Sequence, residues 1–301
     1  MLVLNFNGLE HLEECFDSIA GLDYPKNRFE TIMVDNGSAD ESVAFVRKRF
    51  PWVRIVKLDR NYGFAEGNNL GVHAAKGEYV VFLNNDTKVA RGWLSGLVDA
   101  ACTSESVGIC GSKLFDQKMN KFIGEGRLSI FGVPDITSRH SKTSECFFVS
   151  GASMLVKRKV IRHLGQCFDP EFFAYFEDVD LCWRAKLAGY KVVYAPASEL
   201  VHRGGATSKP KSGKPRGGSS LMKFYHYRNK IWAFRKNTRF PLTQLLIVPL
   251  LATTLLQVAR MATEGDWKYG ISVLGYAFSD KKKSAGIYKV TLERQLQVLL
   301  E

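Results

Sequence analysis

The chain has 301 residues, 46% hydrophobic and 24% charged, with a formal net charge of +12. This is ordinary globular composition, enough to fill a core in one large domain with an appendage or in two domains, and it excludes a chain too polar to fold. The positive balance, much of it after Lys186, admits nucleic acid, anionic lipid headgroups and phosphorylated small molecules as partners. None of the six cysteines sits in a C-x-x-C pair, which argues against a zinc site and for reduced thiols in a cytoplasmic chain. The amino terminus has no basic region and no long apolar run, so no signal peptide is expected. The chain starts inside a strand, and a few further residues are expected upstream.

Leu2 to Leu4 reads as that strand, stopping at Asn5-Phe6-Asn7-Gly8. A helix follows, with Leu12, Cys15, Phe16 and Ile19 at helical spacing. Thr31 to Val34 is a second strand, ending at Asp35-Asn36-Gly37-Ser38, and Ser38 is placed to cap a helix carrying Val43, Phe45, Val46 and Phe50. Val53 to Leu58 is a third strand. The loop Asp59 to Asn69, dense in glycine and amide, leads through a helix ending near Ala75 into Tyr79-Val80-Val81-Phe82-Leu83-Asn84-Asn85-Asp86. That apolar run, halted by two amides and a carboxylate, is a buried strand releasing polar groups at its carboxyl end. Strand–helix alternation with short connections predicts a mostly parallel sheet with helices on both faces, and ligands in such sheets bind at the carboxyl ends of the strands. Asn7, Asp35 and Asp86 then share one rim. A carboxylate there can hold a hard cation or accept from a ribose or base. Asn and Asp also follow strands simply as turn and cap residues.

Trp93 to Ala101 reads as a helix, Val107 to Lys113 as a strand, Lys121 to Asp135 as an irregular hairpin, and Phe147 to Val156 as a strand pair or a strand with a glycine bulge. The segment Phe168 to Arg184 sets an aromatic run before Glu177, Asp178 and Asp180 at the start of a helix that continues through Ala188 and stops at Gly189. Carboxylates favour a helix amino end, but an apolar wall beside them can also tune one as a base. Lys191 to Ala195 is a strand broken by Pro196, and His202 follows it. Residues 204–220, rich in Gly, Ser and Lys, read as a linker or mobile loop whose lysines could clamp phosphates. Pro241 to Arg260 is strongly apolar, interrupted by Thr243, Gln244, Thr253, Thr254 and Gln257, with a kink expected at Pro249. It is barely long enough to span a bilayer, and the open alternatives are docking on a membrane surface or burial in a helical appendage.

Taken together, Leu4-Asn5-Phe6-Asn7-Gly8, Val34 to Asp40, Arg60 to Asn69, Leu83-Asn84-Asn85-Asp86, Glu177 to Leu181 and His202 resemble the family 2 glycosyltransferases of the GT-A fold, particularly their rhamnosyltransferase-like branch. The match runs in the family's order across roughly residues 1 to 208, and Tyr225 to Asn229 resembles an aromatic-Arg-Asn element of that branch. The resemblance implies an α/β GT-A domain over 1–208, with a nucleotide-binding half at 1–110 and an acceptor half at 111–208. Beyond it, 221–301 is expected to be a helical region, either docked on a membrane surface or buried as an appendage. It implies inverting transfer of a sugar from a UDP-, dTDP- or GDP-sugar to a glycan or lipid-linked acceptor, at the inner face of the cell membrane. Asn5, Asn7, Asp35, Asn61, Gly63, Asn68, Asn85, Asp86 and Arg228 would hold the donor. Asp86 and His202 would hold Mg or Mn, with Asn84 at the first carboxylate position of the family's D-x-D motif. Asp178, with Glu177, would deprotonate the acceptor hydroxyl. The rival reading is an inactive homologue that senses nucleotide sugars. Nucleic acid is not an expected partner, because the basic residues lie by a linker and an apolar helix rather than among exposed aromatics on a sheet face.

Overall fold

The computed structural model describes residues 1–129, 131–204, 220–238, 242–278 and 291–300. Its strands are β1 (Leu2–Asn5), β2 (Ile32–Asp35), β3 (Arg54–Lys57), β4 (Tyr79–Asn84), β5 (Thr87–Val89), β6 (Val107–Asp116), β7 (Lys121–Ile123), β8 (Glu125–Leu128), β9 (Pro134–Thr137), β10 (Ser144–Glu145), β11 (Ser153–Lys157) and β12 (Lys191–His202). Its helices are α1 (Leu9–Ala20), α2 (Ser42–Arg49), α3 (Gly63–Ala74), α4 (Trp93–Cys102), α5 (Arg158–Leu164), α6 (Glu177–Leu187), α7 (Ser220–Asn237), α8 (Leu242–Thr263), α9 (Trp267–Phe278) and α10 (Leu292–Leu300).

One sheet dominates, in the order β10-β12-β6-β11-β4-β1-β2-β3. Its β4-β1-β2-β3 block is parallel throughout, as is the β6–β12 pair, and β11 runs antiparallel between the two parallel sections. Strand alternation splits the core in two. Leu2, Val80 and Phe82 face one layer with Trp183 and Phe168, while Val3, Val81 and Leu83 face the other with Phe16 and Trp93. The sheet runs without a break across residue 110. The expected α/β architecture, with helices on both faces and a helical carboxyl-terminal region, is what the chain adopts.

Several local expectations change. Ser38 caps no helix; its hydroxyl accepts from Asn5 Nδ2 and Asn7 N, and α2 starts only at Ser42. The loop read as Asp59–Asn69 ends early, because α3 begins at Gly63 and carries Asn68 and Asn69. Pro196 does not end its strand: β12 continues to His202, and the register shift between Ala195 and Glu199 absorbs the proline. The strand begun at Val107 runs on to Asp116. Of Phe147–Val156, only the part from Ser153 is regular strand. The loop read at 204–220 lies, apart from its two end residues, outside the described residues.

The apolar segment near the carboxyl end forms α8, with Pro249 inside it. Lys230 of α7 donates to Thr253 Oγ1 and Gln257 Oε1, and Thr254 is buried, so these three polar residues of the run face inward. Val248, Leu255 and Leu256 face out, the last 72% exposed. Among the described residues no helix is long and apolar enough to cross a membrane.

Candidate active site

Three strand ends meet at Asn5. Its Nδ2 donates to Ser38 Oγ at 3.2 Å and reaches Asp35 Oδ1 at 3.5 Å, and its Oδ1 accepts from Asn85 Nδ2 at 2.8 Å. Gly8 must lack a side chain here, since a Cβ would fall 2.2 Å from Asn85 Nδ2. Asn7 takes a φ of 49° and accepts from Ala39 N. Asn5 and Asn85 thus brace the rim with their own amides. Asp35 is fully buried, and its Oδ2 has no partner among the described residues. A buried carboxylate oxygen left without a donor is the kind of atom a ligand hydroxyl or amide satisfies.

The next segment is tied to this rim by Asn36, which the sequence reading passed over. Asn36 donates to Asn61 Oδ1 and Gly63 O and accepts from Tyr62 N. Asn61 Oδ1 also accepts from Gly63 N. Asn68, expected to reach the donor, is buried and donates to Phe64 O in its own helix; what it contributes is the shape of the cradle. Gly63 has φ +78°, and a Cβ on it would lie 2.5 Å from the Phe173 ring.

At the end of β4, Asp86 Oδ1 and His202 Nε2 stand 3.3 Å apart, with Asn84 Nδ2 also 3.3 Å from that nitrogen. The β12–β6 register sets Asp116 directly beside His202, its Oδ2 3.7 Å from Nδ1. Burial would raise the Asp86 carboxyl, but the hydrogen bond and charge of His202 outweigh it and hold the pKa below its usual value. Burial would lower His202, but Asp86 and then Asp116 outweigh that and raise it. A carboxylate and an imidazole converging on one point, with a second carboxylate behind the ring, are side chains that could hold a divalent cation. Among the described residues no group of three or more such side chains gathers at one point. Asp116 could have been found from sequence by following its strand to the polar end, as was done for Asp86.

The loop before β11 joins this rim to the second acidic cluster. Asn84 N donates to Ala152 O, and the neighbouring Gly151 N donates to Asp178 Oδ2. The three carboxylates of α6 have separate fates. Asp180 is buried among Arg184, Lys236 and Asn237; burial alone would raise it, yet those partners pull it down to about 2, so it is a structural anion. Asp178 is partly open, accepts from Gly151 N and Val179 N, and has its pKa raised because its dense surroundings outweigh those two bonds. Glu177 is buried, its Oε2 lacks a partner among the described residues, and burial followed by the Asp178 charge pushes it well above the usual range. Of the pair, Asp178 holds the better-supported anion.

Glu177→Gln is expected to stabilise the protein at pH 8 by about 2 °C or more in melting temperature. A raised native pKa means the folded chain holds more protons than the unfolded one, so this group costs stability as pH climbs from its unfolded value through its native one. Near pH 4, where Glu protonates in both states, the gain should vanish. Thermal melts across that range check both sign and window.

The cluster hangs from a strained loop. Phe173 (φ 62°, ψ −61°), Tyr175 (φ 70°) and Phe176 (φ 68°) all have left-handed φ, and Ala174 N bonds Phe172 O to close a γ-turn at Phe173. Each such residue costs about 1–3 kcal/mol and persists only where its surroundings hold it. Arg228, assigned to the donor by resemblance, stands under this loop instead. Its Nη2 donates to Glu171 O and Phe172 O, and its guanidinium lies over the Tyr225 and Trp232 rings. Asn229 beside it donates to the carbonyls of Phe172, Ala174 and Tyr175. Neither role was visible in sequence, because the loop and α7 meet only in the fold.

The fold resembles solved glycosyltransferases. A mannosyltransferase, PcManGT of Pyrobaculum calidifontis in complex with GDP-Man and Mn2+, superposes with a TM-score of 0.57 at 18% identity over 99% of this chain and 77% of that one. Among curated sequences, the uncharacterized protein y4gI of Sinorhizobium fredii is 30% identical over 216 residues, 66% of this chain and 24% of that protein. An N-acetylglucosaminyl-diphospho-decaprenol L-rhamnosyltransferase of Mycobacterium tuberculosis is 28% identical over 201 residues, 57% of this chain and 65% of the relative. The chain thus spans between about a quarter and two thirds of the length of these relatives. Residues 1–165 match the family model described as Glycosyl transferase family 2. With more than half of its length inside that match, this chain belongs to glycosyl transferase family 2.

Proposed function

We propose that this glycosyltransferase transfers a sugar with inversion from a nucleotide-diphosphate donor to a hydroxyl of a glycan or lipid-linked saccharide, with Asp178 as general base. The observation that carries the reading is the link Asn84–Ala152 and Gly151–Asp178, which sets the one partly open carboxylate among Glu177, Asp178 and Asp180 beside the end of β4. Asp35, with its orphaned oxygen, accepts from the ribose or base, and Asn61, Gly63 and Asn36 shape the wall beside it. Asp86 and His202 would hold a magnesium or manganese ion, which offsets the charge growing on the leaving diphosphate. Asp178 takes the proton from the acceptor hydroxyl as its oxygen bonds to the anomeric carbon and the bond from that carbon to the diphosphate oxygen breaks. A relative whose printed name carries a decaprenol-linked acceptor supports a lipid-linked substrate. So does α8, whose outward face is Val248, Leu255 and Leu256 and which contains no acidic residue. That face fits the surface of an anionic bilayer.

The second reading, a homologue that binds nucleotide sugars without transferring them, is favoured by Asn84 standing where the family motif has its first carboxylate. One assay separates the two. The protein is incubated with UDP-, dTDP- and GDP-sugars, Mn2+ and a lipid-linked saccharide on anionic vesicles. Transfer to the lipid, slow hydrolysis without acceptor, and flotation of the chain with the vesicles are expected. Donor binding with neither transfer nor hydrolysis would leave only the sensing role.

A further inference from the structure

We propose that Asn229 is a positioning residue for sugar transfer, which through the γ-turn at Phe173 locks the Glu177–Asp178 carboxylates and the amino end of α3 into one geometry. The inference rests on the reading of Asp178 as base and adds a mechanical link between the two halves of the site.

Phe173 is where the halves touch. Its carbonyl accepts from Phe64 N at 2.6 Å and from Ala65 N at 3.1 Å. These belong to the first turn of α3, whose amides have no partner within the helix. Four residues after Phe173, α6 begins with Glu177 and Asp178. One short backbone segment therefore caps the donor-side helix at one end and launches the base-bearing helix at the other. Three of its four residues before Glu177 hold left-handed φ, which aromatic side chains do not adopt unforced.

Asn229 supplies the force. It is fully buried, and its Nδ2 lies 2.8 Å from Phe172 O, 2.8 Å from Ala174 O and 2.7 Å from Tyr175 O, so two amide hydrogens are shared among three carbonyls. Arg228 Nε donates to Asn229 Oδ1 at 2.8 Å, which fixes the direction of the amide. The Phe173 ring stacks on Tyr225, 4.9 Å between centroids and 19° between planes. A clamp of this kind serves orientation, where small displacements from a remote change can cost turnover heavily.

Asn229→Ala and Asn229→Ser test it, the serine keeping a single donor. Turnover should fall by about tenfold to a hundredfold in the alanine variant and less in the serine variant, with donor affinity by calorimetry within about threefold of the parent. Hydrogen exchange at the Phe64 and Ala65 amides should quicken in the same order, although both lie more than 160 positions away in the chain. A merely structural residue would lower melting temperature and donor affinity together and leave those two amides no worse than their neighbours. That result, or unchanged turnover in both variants, overturns the proposal. Should the alanine variant not fold, the serine variant and its exchange pattern decide. If Asp178→Asn keeps full turnover, the base assignment fails on its own, while the exchange at Phe64 and Ala65 still judges the clamp.

Discussion

Asp178→Asn is expected to keep donor affinity and lose about a hundredfold or more of turnover, the usual contribution of a general base. The exchange is close to isosteric and leaves one oxygen to accept from Gly151 N, giving up the bond from Val179 N to the other carboxylate oxygen, so the link between α6 and the rim of β4 should stand. What disappears is the lone pair that takes the acceptor's proton. Asp180→Asn must not give the same result by the same route: that carboxylate is consumed by Arg184, Lys236 and Asn237, and its loss should appear as instability. Calorimetry with donor beside a transfer assay separates the effects. Unchanged turnover in Asp178→Asn would remove this residue from the mechanism.

The second large effect is expected at Asp86. Asp86→Ala should weaken donor binding in the presence of Mg2+ or Mn2+ by about a hundredfold, towards the level the parent shows in chelator, and leave binding without metal little changed. The substitution removes one of the two side chains that converge at 3.3 Å, and it strips His202 of its nearer counter-charge. Fold stability should suffer less, since Asp116 remains beside the imidazole. Titrations of donor with and without metal, on parent and variant, make the comparison. Equal parent affinities in the two conditions would show that the pair Asp86–His202 serves some other purpose.

Much of the polar rim at the strand ends was legible because it is local. A run such as Tyr79 to Leu83 can only be buried, and the Asn and Asp that end it must then emerge at the sheet's carboxyl edge. The same logic found Asp35, and it would have found Asp116 had the strand from Val107 not been closed early at Lys113. The side-chain partners of Asn68 and Arg228 were not legible in the same way. Asn68 and Arg228 are the residue types that bind nucleotides, but one is used by its own helix and the other by carbonyls 56 and 57 positions away. Pro196 looked like a strand end because a bulge three residues wide is not written in composition.

The sequence by itself determined the α/β layering, the order of strands and helices through the parallel block and the chemical kind of residue at each strand end. Those follow from hydrophobic period and turn chemistry within a few neighbours. Only the tertiary structure decided how Glu177, Asp178 and Asp180 differ in burial and pairing. Identical functional groups acquire different protonation from burial and from the charges brought beside them, and Lys236, Asn237 and Gly151 reach α6 from segments that no local pattern connects to it.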